Sequence, residues 1–124
     1  MKTLAIIGGI LILIYISYRT FRILTLDEGL DKKIANGAII LDVRTEKEFK
    51  RAHIYGSINI SLGTIRERYT ELDPKKTYIT SCSLGLRSVK AESILKEKGF
   101  KNVFNGGAYS DILDKIIYKK QKND

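Results

Sequence analysis

The longest unbroken pattern in the chain is apolar. From Thr3 to Tyr18 sixteen positions carry no charge, and most are Ile or Leu. As a helix the run measures about 24 Å, and about 33 Å if it extends to Leu24 with Arg19 and Arg22 reaching to the interface. It has no polar face, which argues against a helix buried in a soluble core. Ser17-Tyr18-Arg19 offers no small-x-small cleavage site, which argues against a removed signal peptide. The pattern fits an uncleaved single-pass signal anchor over residues 1–24, with Tyr15, Tyr18 and Phe21 as interfacial aromatics.

From residue 25 onward the pattern breaks into short alternating elements. Thr25-Leu26-Asp27-Glu28 matches a capping box and predicts a helix to about Asn36, ended by Gly37. Ala38–Val43 is an Ile-rich apolar run and predicts a buried strand. Thr45-Glu46-Lys47-Glu48 is a second capping box, opening a helix through about Arg51. Ile58–Ile60 and Thr77–Ser81 read as strands, with a helical segment from Gly63 to about Glu71 between them. Ala91, Ile94 and Leu95 give one apolar face to a helix over Ser88–Lys98, capped by Gly99. Asn102–Asn105 is a last strand, and Gly106-Gly107 predicts a turn into a C-terminal helix. Strands alternating with helices imply one α/β domain over residues 25–124, with a mainly parallel central sheet flanked by helices on both faces. Ligands of such sheets bind beyond the carboxyl ends of the strands.

Charge adds an orientation. Arg19, Arg22, Lys32 and Lys33 follow the apolar run and only Lys2 precedes it, so the domain is expected on the cytoplasmic side. The net charge of +8 is spread along the chain, without a nucleic-acid motif or aromatics interleaved with the basic residues, so no nucleic-acid partner is expected. Lys115, Lys119, Lys120 and Lys122 form a basic tail that is either solvated or close to anionic lipid. One cysteine excludes an intramolecular disulfide, and one histidine with no Cys/His ligand spacing leaves neither a metal site nor a cofactor to expect.

That cysteine, Cys82, is the centre of the candidate chemistry. It lies between a strand end and a helix start, in Cys82-Ser83-Leu84-Gly85-Leu86-Arg87-Ser88. Unpaired N–H groups and the macrodipole at a helix N-terminus favour thiolate over thiol. Gly85 lets the loop close tightly, and Arg87 adds a positive charge at its far end, so Ser83 to Ser88 form a candidate anion cradle. Asp42 and Arg44 flank a strand end and are expected to fix the neighbouring loops through an ion pair or hydrogen bonds. Glu48 is most simply a capping residue and His53 the holder of a structural hydrogen bond.

Several segments together resemble the rhodanese family. Leu41-Asp42-Val43-Arg44-Thr45-Glu46-Lys47-Glu48-Phe49 is similar to its first signature, and His53–Ile60 to the segment that follows. Cys82-x-x-Gly85-x-Arg87-Ser88 resembles its active-site loop. Gly99-Phe100-x-Asn102-Val103 and Gly106-Gly107 resemble its closing motifs. Two positions depart from the pattern: Tyr55 stands where proline is usual, and no tryptophan follows Gly107. The resemblance implies the rhodanese fold and sulfurtransferase activity, and the anchor makes the chain similar to membrane-tethered single-domain rhodaneses. It also implies that Cys82 carries sulfur as a persulfide, from a small anionic donor such as thiosulfate or from another persulfide. A thiol or other thiophilic acceptor, protein thiols among them, would then remove it, while Arg87 closes the loop and helps bind the donor.

Two rival readings follow from the same loop. Cysteine phosphatases also bracket an anion cradle with cysteine and arginine, but with five residues between them. Here Ser83, Leu84, Gly85 and Leu86 make four, for a smaller pocket. A non-catalytic, membrane-tethered binding module is the rival from another class, and the presence of Cys82 weighs against it.

Overall fold

The computed structural model describes residues 1–123. Its first helix, α1 (Lys2–Thr25), is long and apolar enough to cross a membrane, and none of its residues is buried against the rest of the chain. After it come α2 (Leu30–Ala35), β1 (Ile39–Asp42), α3 (Glu46–Arg51) and β2 (Ile58–Asn59). A short α4 (Ile65–Arg68) sits between two 3₁₀ turns, and β3 (Tyr78–Cys82), α5 (Leu86–Glu97), β4 (Val103–Ala108) and α6 (Tyr109–Asn123) complete the order.

The four strands form one parallel sheet in the order β2-β1-β3-β4. Alternation along each strand sends side chains to two cores. Leu41, Tyr78, Cys82 and Val103 pack with Ala91, Ile94 and Leu95 of α5 on one face. Ile40 and Ile79 pack with Leu30 of α2 and Ile112 of α6 on the other. The parallel sheet with helices on both faces is the α/β architecture that the alternating pattern predicts.

Three local expectations are corrected. Thr25 does not cap a following helix; it is the last residue of α1, and its Oγ1 donates to the Phe21 carbonyl at 2.7 Å. Gly29, with φ +69°, precedes α2 instead, so Glu28 closes no capping box. A tertiary pairing overrides the local signal. Asp27 N–H donates to the Asn105 carbonyl (3.2 Å), Asn105 N–H donates to Asp27 Oδ2 (2.6 Å), and Asn105 Nδ2 donates to the Thr25 carbonyl (2.7 Å). Gly106 and Gly107 do not form the turn; they lie inside β4. Thr80 pairs with Asn105 and Cys82 with Ala108, so β4 holds one residue more than β3 between the same rungs. That bulge is held by Gly107 N–H donating to Asn105 Oδ1 at 3.1 Å. Finally, α5 starts at Leu86 rather than Ser88, because Gly85 in the left-handed region (φ +87°) ends the loop two residues earlier.

The bulge tolerates no side chain at Gly106. A Cβ there would stand 2.5 Å from Ile79 Cγ2, 2.7 Å from Ile112 Cδ1 and 2.9 Å from the Thr80 carbonyl oxygen. Gly106→Ala is therefore expected to cost about 1–3 kcal/mol through overpacking. A thermal melt should show a midpoint lower by about 5 °C or more. Gly63→Ala, where the added Cβ meets nothing within 4 Å, should leave the midpoint essentially unchanged.

Candidate active site

Cys82 is the last residue of β3, at the carboxyl edge of the sheet, and is 1% exposed. The chain leaves the sheet at Ser83 and Leu84, turns at Gly85 and enters α5 at Leu86. This turn brings the Gly85 N–H onto the cysteine sulfur, with N to Sγ 3.0 Å. A donor aimed at sulfur favours negative charge on it. Gly85 is needed for its positive φ, and its would-be Cβ lies 3.5 Å from Gly107 Cα, so the β4 bulge backs the loop. Ser88 closes the turn from within the core: its Oγ donates to the Gly85 carbonyl (3.1 Å), and its own carbonyl accepts from Thr80 Oγ1 (2.8 Å). Ser88 is fully buried, and its side chain is spent inside the turn. Leu84 and Leu86 point outward, 59% and 51% exposed.

A second constraint reaches the loop from α3. The Thr45/Glu48 capping box forms as the spacing predicts, with Glu48 N–H on Thr45 Oγ1 at 3.2 Å and Thr45 N–H on Glu48 Oε1 at 3.2 Å. The same carboxylate also takes both terminal nitrogens of Arg87, Nη1 to Oε1 at 2.8 Å and Nη2 to Oε2 at 2.9 Å. Ser83 Oγ donates to Oε2 at 2.9 Å, and Arg87 Nη2 also reaches Ser83 Oγ at 3.3 Å. Glu48 thus clasps both ends of the loop. The Arg87 guanidinium holds the Glu48 carboxyl well below the usual carboxylate range, with Ser83 and Thr45 adding to the effect. In return Glu48 raises the pKa of Arg87. This role of Glu48 is missed by sequence reasoning. The capping box accounts for Oε1 alone, and nothing local shows that both oxygens also meet a residue 39 positions away.

Asp42 and Arg44 form the expected pair, buried at 2% and 4% exposure. Arg44 Nη2 donates to Asp42 Oδ2 at 2.7 Å and to the Ala52 carbonyl at 2.6 Å, while Nε lies 2.9 Å from Asp42 Oδ1. The guanidinium also stacks 4.1 Å over the Tyr109 ring. Its charge is consumed inside this knot, which joins β1, α3 and α6. His53 is exposed, stacks on Phe49 and donates through Nδ1 to the Phe49 carbonyl at 2.7 Å. No group of three or more His, Cys, Asp or Glu able to hold a metal ion occurs among the described residues.

One further contact comes from outside the domain. Tyr18 of α1 donates through its hydroxyl to the Leu84 carbonyl at 2.8 Å. The sequence marks Tyr18 only as an interfacial aromatic, because a bond spanning 66 residues leaves no local trace.

Comparison with known proteins agrees with this geometry. Residues 25–110 match the family model of the rhodanese-like domain. The thiosulfate sulfurtransferase PspE of Escherichia coli (strain K12) is 36% identical over 74 residues, which cover 58% of this chain and 71% of that protein. The putative sulfur carrier protein YrkF of Bacillus subtilis (strain 168) is 41% identical over 66 residues, covering 53% of this chain and only 36% of that protein. Among solved structures, a rhodanese with anions from E. coli superposes with a TM-score of 0.56 at 34% identity, covering 60% of this chain and 91% of that one. With the cysteine loop at the carboxyl edge of a parallel sheet and the family model spanning that sheet, the chain belongs to the rhodanese-like domain family.

Proposed function

We propose that this protein is a rhodanese-type sulfurtransferase that carries sulfur on Cys82. The observation that carries the reading is the Cys82 sulfur at the strand end with the Gly85 N–H directed onto it. The relatives whose names denote sulfurtransferases support it. In the first half-reaction the Cys82 thiolate attacks the sulfane sulfur of a donor such as thiosulfate or a persulfide. The donor's S–S bond breaks, and sulfite or a thiolate leaves with the bonding electron pair. The product is a Cys82 persulfide, whose terminal sulfur carries the negative charge. A thiophilic acceptor then attacks that terminal sulfur and releases the Cys82 thiolate. No proton transfer is required at the sulfur, so the site needs no general base; it needs donors preorganised for the anion. Gly85 supplies one such N–H.

Arg87 acts in this scheme as a brace. Its terminal nitrogens are engaged by Glu48, so the pair fixes the width of the loop while adding little net charge. Asp42 and Arg44 are likewise positioning residues, one layer behind the loop.

We also propose that α1 anchors the domain to a membrane in a single pass, with the domain on the cytoplasmic side. Its length and apolar surface support the span, and the positive residues after it support the side. Protease added outside intact cells should leave the domain uncut, and digestion under those conditions would reverse the orientation.

Two outcomes check the chemistry. Incubation of the full chain in detergent with thiosulfate should add one sulfur atom to its intact mass. Cyanide should remove that sulfur, and Cys82→Ser should never acquire it. A folded protein that gains no sulfur from thiosulfate or from a persulfide would overturn the enzyme assignment. The clasp is checked by Glu48→Gln, which should cost about 1–2 kcal/mol and slow sulfur uptake about tenfold. Because folding depresses the Glu48 pKa, its stabilisation is complete above the unfolded carboxylate value of about 4.3 and is lost as pH falls through the depressed value. The stability gap between wild type and Glu48→Gln in denaturant titrations should therefore stay constant from about pH 5 to 8 and close only in strong acid.

A further inference from the structure

We propose that the catalytic loop docks on the bilayer surface, with Leu84 and Leu86 inserted among the lipid headgroups, so that Cys82 exchanges sulfur at the membrane interface. The proposal rests on the reading of α1 as a membrane anchor.

The direction of α1 places the loop there. Read backward from the sheet, Asp27 is bonded to Asn105 within β4. Leu26 Cδ1 lies where a Cβ on Gly107 would approach within 3.0 Å, near the end of β4. Arg22 pairs with Asp111 at the start of α6, and Tyr18 bonds to Leu84 in the loop. The helix therefore passes from the body of the sheet to its carboxyl edge and leaves the domain on the catalytic side. The edge carrying Cys82, rather than a flank or the opposite edge, faces the membrane that α1 enters.

The length of the apolar run brings the two into contact. Sixteen uncharged residues from Thr3 to Tyr18 rise about 24 Å, short of a hydrocarbon core of about 30 Å. A run shorter than the core pulls the membrane surface to its end at Tyr18, where α1 touches the domain. Tyr18 is drawn to headgroup depth, where tyrosine is favoured, and its hydroxyl carries the Leu84 carbonyl with it. Leu84 and Leu86, the most exposed residues of the loop, then gain from leaving water. The Glu48–Arg87 clasp neutralises the one ionised side chain among residues 83–88, and Cys82 itself stays buried behind them. Sulfur carriers that serve Cys82 are accordingly those that enter or sit within the headgroup layer.

The chain contains no tryptophan, so each introduced tryptophan is a unique reporter. Four variants of the full chain are reconstituted into phosphatidylcholine–phosphatidylglycerol vesicles containing brominated lipids: Ile12→Trp in the anchor, Leu84→Trp and Leu86→Trp in the loop, and Lys76→Trp. Lys76 is exposed in the turn before β3, at the amino end of the strand whose carboxyl end is Cys82. The expected result is quenching of the anchor reporter and of both loop reporters. The loop reporters should respond best to bromines near the headgroups and emit to the blue of Lys76→Trp, which stays unquenched. If one loop variant fails to fold, the other carries the test. Quenching at Ile12→Trp without quenching in the loop would overturn the docking while leaving the anchor intact. No quenching at Ile12→Trp would remove the anchor, and the proposal with it. Equal quenching at Lys76→Trp would show the domain lying unspecifically on lipid and would overturn the orientation.

Discussion

Much of this structure depends on Asn105. Its backbone N–H and carbonyl bond to Asp27, its side-chain nitrogen reaches the Thr25 carbonyl, and its side-chain oxygen takes the Gly107 N–H. One buried residue therefore sets where the N-terminal helix leaves the domain and also shapes the bulge in β4. The bulge lies directly behind Gly85, within contact distance of a Cβ there. The helix exit and the curvature of the cysteine loop share a single reference point. Truncating this side chain would leave the buried Gly107 N–H and the part-buried Thr25 carbonyl unsatisfied at once, which is costlier than losing one hydrogen bond.

The electrostatics of the site are built from closed pairs. Asp42 neutralises Arg44 in the interior, and Glu48 neutralises Arg87 at the rim. The protein carries a net charge of +8, yet neither arginine nearest the loop is without a carboxylate. What faces the sulfur is a backbone N–H, fixed by the turn that Gly85 permits. This gives the loop a local preference for an anion without a free cation, and the polar ends of the arginines serve geometry.

Features set by neighbours in sequence were legible in it. The Ile-rich run of β1, the Thr45/Glu48 capping box, the α5 face of Ala91, Ile94 and Leu95, and the strand-to-helix position of Cys82 all rest on local pattern, and they agree with the structure. Features set by distant partners were not. Thr25 and Glu28 satisfy a capping-box pattern, but their segment is claimed by Asn105, some 80 residues away. Gly106-Gly107 suits a turn and a bulge equally well by composition, and only the pairing with β3 decides between them. Glu48 announced its bond to Thr45 and concealed its bonds to Arg87. The fold was read from periodicity and the loop from its residues, while the clasp that holds the loop waited for the third dimension.

The position of Asn105 late in the chain also orders events during synthesis. Translation delivers α1 some 80 residues before the strand that will tether it. A nascent helix of this kind is free to pivot while the remaining strands are made, since it buries nothing in either core. The parallel sheet closes only when β4, the last strand made, docks on β3, and only then can the span of some 80 residues from Thr25 to Asn105 close. At that moment the domain acquires a fixed tilt relative to its own leader, and a hinge becomes a strut.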